Sequence, residues 1–151
     1  MNDQTDRANQ SEKTKQNIRL TERLWEVVAS QDLKMLASMF HDDGEYTDVA
    51  TPEDDVAVGG SQVAARLKLA FEGVEIHSST RNVVASDTVV MVERVESWRW
   101  RTAEHVDLQI ASVVEISGSK ISRWVDYWDM QTLLGVAPAW WVEHVMQGWK
   151  A

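Results

Sequence analysis

Asp126 stands two residues from Trp124 and two from Trp128, in a stretch whose alternation reads as a β-strand. Residues two apart in a strand share a face, so this carboxyl is flanked by indoles on its own side. An ionised carboxylate among apolar bulk is costly to desolvate unless a cation or a hydrogen-bond donor meets it. A second strand supplies a partner. There Val90, Val92, Arg94, Glu96, Trp98 and Trp100 alternate onto one face, setting a guanidinium and a carboxylate among apolar neighbours. If that face is interior, Arg94 is expected to bridge Glu96 and Asp126 and to hold at least one carboxyl ionised. The opposite face, with Val89, Met91, Glu93, Val95, Ser97 and Arg99, is also mixed. Periodicity therefore leaves open which side is inside, and Arg94 with Glu96 equally fits a salt bridge on a solvent face. Two carboxyls in unlike surroundings have the chemistry of an acid and a base working at one pH.

The elements that must position these residues follow from pattern. Ile18, Leu24, Trp25 and Val28 fall at helical spacing between Thr14 and Ser30. A short second helix is expected after Asp32 as N-cap, with Leu33, Leu36 and Phe40 on one face. His41-Asp42-Asp43-Gly44 reads as a turn into a short strand near Glu45 to Asp48, followed by an acidic loop from Thr51 to Asp55. A third helix is expected from Gly59-Gly60 with Ser61 as its N-cap, ending before Gly73. The period then changes to alternation, predicting strands over about 74–84, 88–100, 105–116 and 120–128, an antiparallel meander. In the last of these, Ile121, Arg123, Val125, Tyr127 and Asp129 are expected on the face opposite Trp124, Asp126 and Trp128. Helical character returns through Leu133-Leu134, and Pro138 can open a final helix carrying Trp140, Trp141, Val145 and Trp149. Helices followed by a meander make an α+β layer arrangement, helices on one face of a sheet.

The 151 residues suit a single domain able to bury a core without disulfides. Residues 1–13 lack periodicity and are expected to form a disordered leader, with one domain over 14–151. The chain has no cysteine, so disulfides, thiolate nucleophiles and thiolate zinc sites are excluded. The polar N-terminus lacks the apolar core of a signal peptide, and no run is long enough to span a bilayer, so a soluble cytoplasmic protein is the expectation. A net charge of −9 works against binding nucleic acid. His41, His77, His105 and His144 lack metal-ligand spacing, and no metal or cofactor is called for; His77 alone is a candidate for pocket exposure. Eight tryptophans fit either a heavy core or a pocket for a bulky hydrophobic ligand.

Val92-Glu93-Arg94-Val95-Glu96, Trp124-Val125-Asp126-Tyr127-Trp128-Asp129 and the upstream Tyr46-Thr47-Asp48 together resemble the limonene-1,2-epoxide hydrolase family. The resemblance runs from about Ile18 to Leu134. Around it lies the nuclear-transport-factor-2-like superfamily, which includes ketosteroid isomerases and polyketide cyclases. It implies a cone-shaped, curved mixed or antiparallel sheet with N-terminal helices over a deep hydrophobic pocket, and a homodimer. It further implies that Asp126 activates water, that Tyr46 and position 48 help hold that water, that Arg94 orients both carboxyls, and that Glu96 protonates the epoxide oxygen. No cofactor is needed. Trp98, Trp124, Trp128, Val92, Leu108 and Ile110 are the expected lining around a hydrophobic small molecule. Two positions depart from the family pattern: Glu96 is one methylene longer than the family's aspartate, and Asp48 stands where the family has asparagine. An amide donates and accepts, whereas an ionised aspartate only accepts. Three neighbouring carboxyls also repel, which raises at least one pKa and suits proton shuttling. A cofactor-free lyase or isomerase on an aromatic, steroid-like or polyketide-like substrate is the competing expectation, and a non-catalytic binding module the third.

Overall fold

In the computed structural model, which describes residues 10–149, a curved six-stranded sheet is packed on its inner face by helices. Residues 1–9 of the expected leader lie outside the described residues. Helix α1 spans Glu12–Ser30, starting two residues ahead of the expected Thr14 because the Ser11 side chain caps it, accepting from the Thr14 amide at 3.0 Å. Helix α2 (Leu33–Ser38) has Asp32 as N-cap, as its sequence indicates. Phe40 is not on that helix. It opens strand β1 (Phe40–Asp48), which begins five residues before the expected Glu45.

The expected turn at His41-Asp42-Asp43-Gly44 lies inside β1 as an irregularity, where the pairing with the neighbouring strand shifts between Phe40 and Glu45. A side chain at Gly44 would meet the Ile121 carbonyl oxygen at 2.7 Å, so glycine is what allows the strands this approach. A two-residue strand β2 (Ala57–Val58), which no sequence signal announces, pairs with β1. Helix α3 (Gly60–Phe71) is capped by Gly59, not by Ser61. The reason is packing: a Cβ at Gly60 would sit 1.9 Å from the Ala37 carbonyl oxygen, so glycine brings the start of α3 against α2.

Strands β3 (Val74–Ala85), β4 (Val89–Trp100), β5 (His105–Ser117) and β6 (Lys120–Tyr127) form the expected meander, each within a residue of its predicted limits. The sheet order is β2-β1-β6-β5-β4-β3, with β1 parallel to β6 and every other pair antiparallel. The inner face of β4 carries Val90, Val92, Arg94, Glu96, Trp98 and Trp100, all buried, which settles the side that periodicity left open. β6 corrects one expectation. A register shift against β5 between Glu115 and Ile116 reverses the alternation, so Ile121 joins the core on the same side as Trp124.

Helix α4 (Met130–Leu134) is capped by Asp129, whose carboxylate accepts from the Gln131 and Thr132 amides. Helix α5 (Ala139–Trp149) follows Pro138. Trp141 of α5 is buried and donates from Nε1 to the Ala70 carbonyl of α3 at 2.8 Å. No helix among the described residues is long and apolar enough to cross a membrane.

Candidate active site

Between the inner face of the sheet and helices α3, α4 and α5 lies a cavity of about 360 Å³. Its wall is almost wholly apolar, and Tyr46, Asp48, Glu96 and Asp126 are set into it. Trp98, Trp124, Trp128, Leu108 and Ile110 line it as expected, and Trp141, Val142, Val145 and Met146 of the chain's own α5 close one side. Val92 does not reach it. That residue lies beyond Arg94 along β4, on the side away from Glu96 and Trp98, and packs in the core. Arg94 is also beneath the wall, behind the carboxyls it holds.

Arg94 is 1 % exposed, and Glu96 and Asp126 are each 4 % exposed. Its Nη1 donates to Glu96 Oε1, its Nη2 to Asp126 Oδ2 at 2.8 Å, and its Nε to Ser112 Oγ at 2.9 Å. Ser112 in turn donates to Asp126 Oδ1 at 2.6 Å. The guanidinium carbon lies 4.0 Å from the ring centroid of Trp25 on α1, a cation–π contact made under desolvation. Burial pulls the Arg94 pKa down, but Glu96 and Asp126 more than offset it and leave the pKa raised. For Asp126 burial pushes the pKa up, while Arg94, Ser112 and Trp124 pull against it and leave a net rise.

Each carboxylate also accepts from an indole. Trp98 Nε1 donates to Glu96 Oε2 at 2.9 Å, Trp124 Nε1 to Asp126 Oδ1 at 2.7 Å, and Trp128 Nε1 to Asp48 Oδ1 at 2.9 Å. Period-two spacing produces the first two pairs, since donor and acceptor are neighbours on one face of one strand. Tyr46 is buried against Trp124, ring centroids 4.4 Å apart, and its hydroxyl is hydrogen-bonded to Asp48. Burial, then the negative charge of Asp48 and Asp126, lifts the Tyr46 pKa well above its ordinary value. Asp48 is pushed up to about 7, first by its enclosure and then by Asp126, against the pull of Trp128, Tyr46 and Arg66.

Four of the five residues expected to do chemistry therefore line one cavity, and Arg94 lies behind two of them. Ser112 and Trp25 join them without having been singled out from sequence. Ser112 did carry a signal, as the one hydroxyl in the inward series Val106, Leu108, Ile110, Ser112, Val114, Ile116. Trp25 carried none beyond its place on an apolar helix face. His77 is exposed and pairs with Glu75, away from the cavity. Among the described residues, no group of three His, Cys, Asp or Glu side chains is arranged to hold a metal ion.

A curved, unclosed mixed sheet with N-terminal helices over its hollow is the nuclear-transport-factor-2-like architecture. Within it, residues 21–124 match the SnoaL-like domain, and the chain belongs to that family. The match takes in Tyr46, Asp48, Arg94 and Glu96 and stops just short of Asp126. Solved structures share the fold. An LEH-like epoxide hydrolase of M. tuberculosis is 20% identical with a TM-score of 0.69, over 91% of this chain and 95% of that one. A protein of Jannaschia sp. CCS1 described as a SnoaL-like polyketide cyclase is 14% identical with a TM-score of 0.75, over 86% and 98%. A protein of Catenulispora acidiphila with a ketosteroid-isomerase-like fold, solved with trimethylamine, is 17% identical with a TM-score of 0.70, over 77% and 89%. Among curated proteins, none matches the sequence significantly.

Proposed function

We propose that the protein is a cofactor-independent hydrolase that opens a hydrophobic epoxide with water. One observation carries this reading: a single buried guanidinium bonds Glu96 and Asp126 at once, and both carboxyls face one apolar cavity. Asp126 takes a proton from water as the water oxygen attacks an epoxide carbon. The ring C–O bond breaks, and Glu96 gives its proton to the departing oxygen, so the product is a diol. Arg94 does not touch the substrate. It is a positioning residue that fixes the two carboxyls at a set spacing and keeps a positive charge behind them through the proton transfers. Tyr46 and Asp48 flank the place where the attacking water would be held. The apolar lining selects for a hydrophobic small molecule and keeps bulk water from the strained ring.

A second reading keeps the cavity and changes the reaction. Asp48 titrating near 7 suits proton transfer at a carbon acid, the chemistry of a lyase or isomerase. The family resemblance adds a homodimer to the proposal, and Val84, Met91 and Tyr127, exposed on the outer face of the sheet, offer it an apolar surface.

Turnover in oxygen-18 water separates the reactions. The assay presents a mixed panel of hydrophobic epoxides and aromatic or steroid-like compounds, with products read by mass spectrometry. A diol with one heavy oxygen is expected; turnover of non-epoxides without label would move the assignment to the lyase or isomerase, and no turnover across the panel would favour a binding module.

A further inference from the structure

Asp48 and Asp126 are direct partners in the parallel pairing of β1 with β6, and both side chains enter the cavity. Neighbouring strands lie about 4.8 Å apart, so the two carboxyls stand side by side. Their surroundings differ. Asp126 is sealed, with Ser112 and Trp124 on one oxygen and Arg94 on the other. Asp48 keeps partial exposure, and beside it the wall is the outer loop of Ala50, Thr51 and the exposed Pro52. The groups acting on Asp48 are Asp126 from β6, Tyr46 from its own strand, the Trp128 indole, and Arg66 of α3, whose guanidinium is bonded to Asp55. Two carboxyls this close hold one proton between them more readily than none. Repulsion from Asp126 helps to raise Asp48 to about 7, where a carboxyl exchanges protons in both directions with neutral water.

We infer that Asp48 is the proton exit of the site: a proton taken up by Asp126 passes to Asp48, and from Asp48 to water at the outer loop. The inference rests on the hydrolytic reading above. Each hydrolysis leaves a proton on Asp126 and a bare carboxylate at Glu96, and the next one needs the reverse. Resetting the base breaks the O–H bond on Asp126 and forms one on Asp48, which then gives its proton to water or buffer, while Glu96 regains one from water. Protons alone move, and the site returns to its starting charge. An asparagine at position 48 could hold a water but could not carry this proton.

Asp48→Asn tests the role. The first turnover, followed in a rapid-mixing experiment, is expected to fall far less than steady-state kcat, which drops by about tenfold or more. Raising imidazole at fixed pH and ionic strength restores kcat, because a mobile base replaces the missing relay. An equal loss in the first turnover would overturn the inference, since Asp48 would then act in bond making; so would unchanged kcat, or a deficit that no buffer repairs. A second measurement needs no substrate. With carbon-13-labelled aspartate, the Asp126 carboxyl resonance is expected to show a step at the neutral midpoint of Asp48, and Asp48→Asn removes that step. If no epoxide is turned over and the coupled step is present, the hydrolytic reading alone fails. If the step is absent, the proton exit fails whatever the substrate.

Discussion

Replacing Arg94 by methionine keeps much of the aliphatic stem and removes the guanidinium that lies over the Trp25 ring. Glu96 and Asp126 are then left desolvated with no counter-ion, and Ser112 loses the donor it accepts from. Breaking a buried pair in this way costs about 3–5 kcal/mol. For a chain of this size each kcal/mol moves Tm by about 2–4 °C, so a fall of roughly 6–20 °C is expected at pH 8. The sign of the pH dependence follows from the unpaired acids. Burial already raises the Asp126 pKa, and removing Arg94 takes away the largest pull against that rise, so the stability tied to this group is fully present below the unfolded pKa and is lost as pH rises through the folded pKa. The deficit of Arg94→Met is therefore largest at pH 8 and shrinks towards about pH 4, as Asp126 takes up its proton. Urea unfolding of wild type and variant at several pH values measures it directly. Adding Glu96→Gln and Asp126→Asn to Arg94→Met removes the orphaned acids and recovers most of the loss. A deficit under about 1 kcal/mol at pH 8 would mean that the ion pairs behave as exposed ones, and the buried-bridge argument would be refuted. A deficit that does not change with pH would assign the loss to the missing guanidinium contact with Trp25 instead.

Asp48→Asn is expected to stabilise the fold by about 1–3 kcal/mol at pH 8 and to make no difference near pH 4, because the wild-type carboxyl, raised to about 7, loses its stability contribution as pH rises through that value; thermal unfolding at the two pH values reads this. Asp126→Asn should reduce kcat by at least about 10²-fold while circular dichroism stays native, and a variant turning over at the wild-type rate would remove Asp126 from the mechanism. Gly60→Ala places a methyl carbon 1.9 Å from the Ala37 carbonyl oxygen and so must displace α3. It is expected to cost about 3 kcal/mol or more by urea denaturation, and a neutral result would show that α2 and α3 can separate without loss.

Most of the site could be read from the chain because period-two alternation is a local rule, and β4 obeys it without a break from Val90 to Trp100. What alternation could not say was which face is inside. That was decided by the helices across the hollow, which are remote in sequence. The misplaced elements share a cause of the same kind. Alternation alone puts Ile121 on the outer face, and the irregularity opposite Glu115 and Ile116, a property of two strands together, turns it inward. The first half of β1 looked like a turn because His41-Asp42-Asp43-Gly44 has turn composition, and only pairing with β6 makes it a strand. Ser61 looked like the better cap until the Ala37 backbone, pressed against Gly60, required the helix to begin earlier. Alternation places Val92 on the face of Arg94 and Glu96, but depth along the strand, which periodicity does not encode, keeps it out of the cavity.

The indoles of Trp98, Trp124 and Trp128 each donate to a different acid, Glu96, Asp126 and Asp48 in turn. Each acid thereby carries its own spectroscopic reporter. The resonance of an indole N–H moves when the oxygen it binds gains or loses a proton, so three cross-peaks in a nitrogen-15 spectrum should follow the three carboxyls one by one. Screening compounds against those peaks would show which acid a molecule approaches before any reaction is known, which makes the protein a sensor of its own substrates.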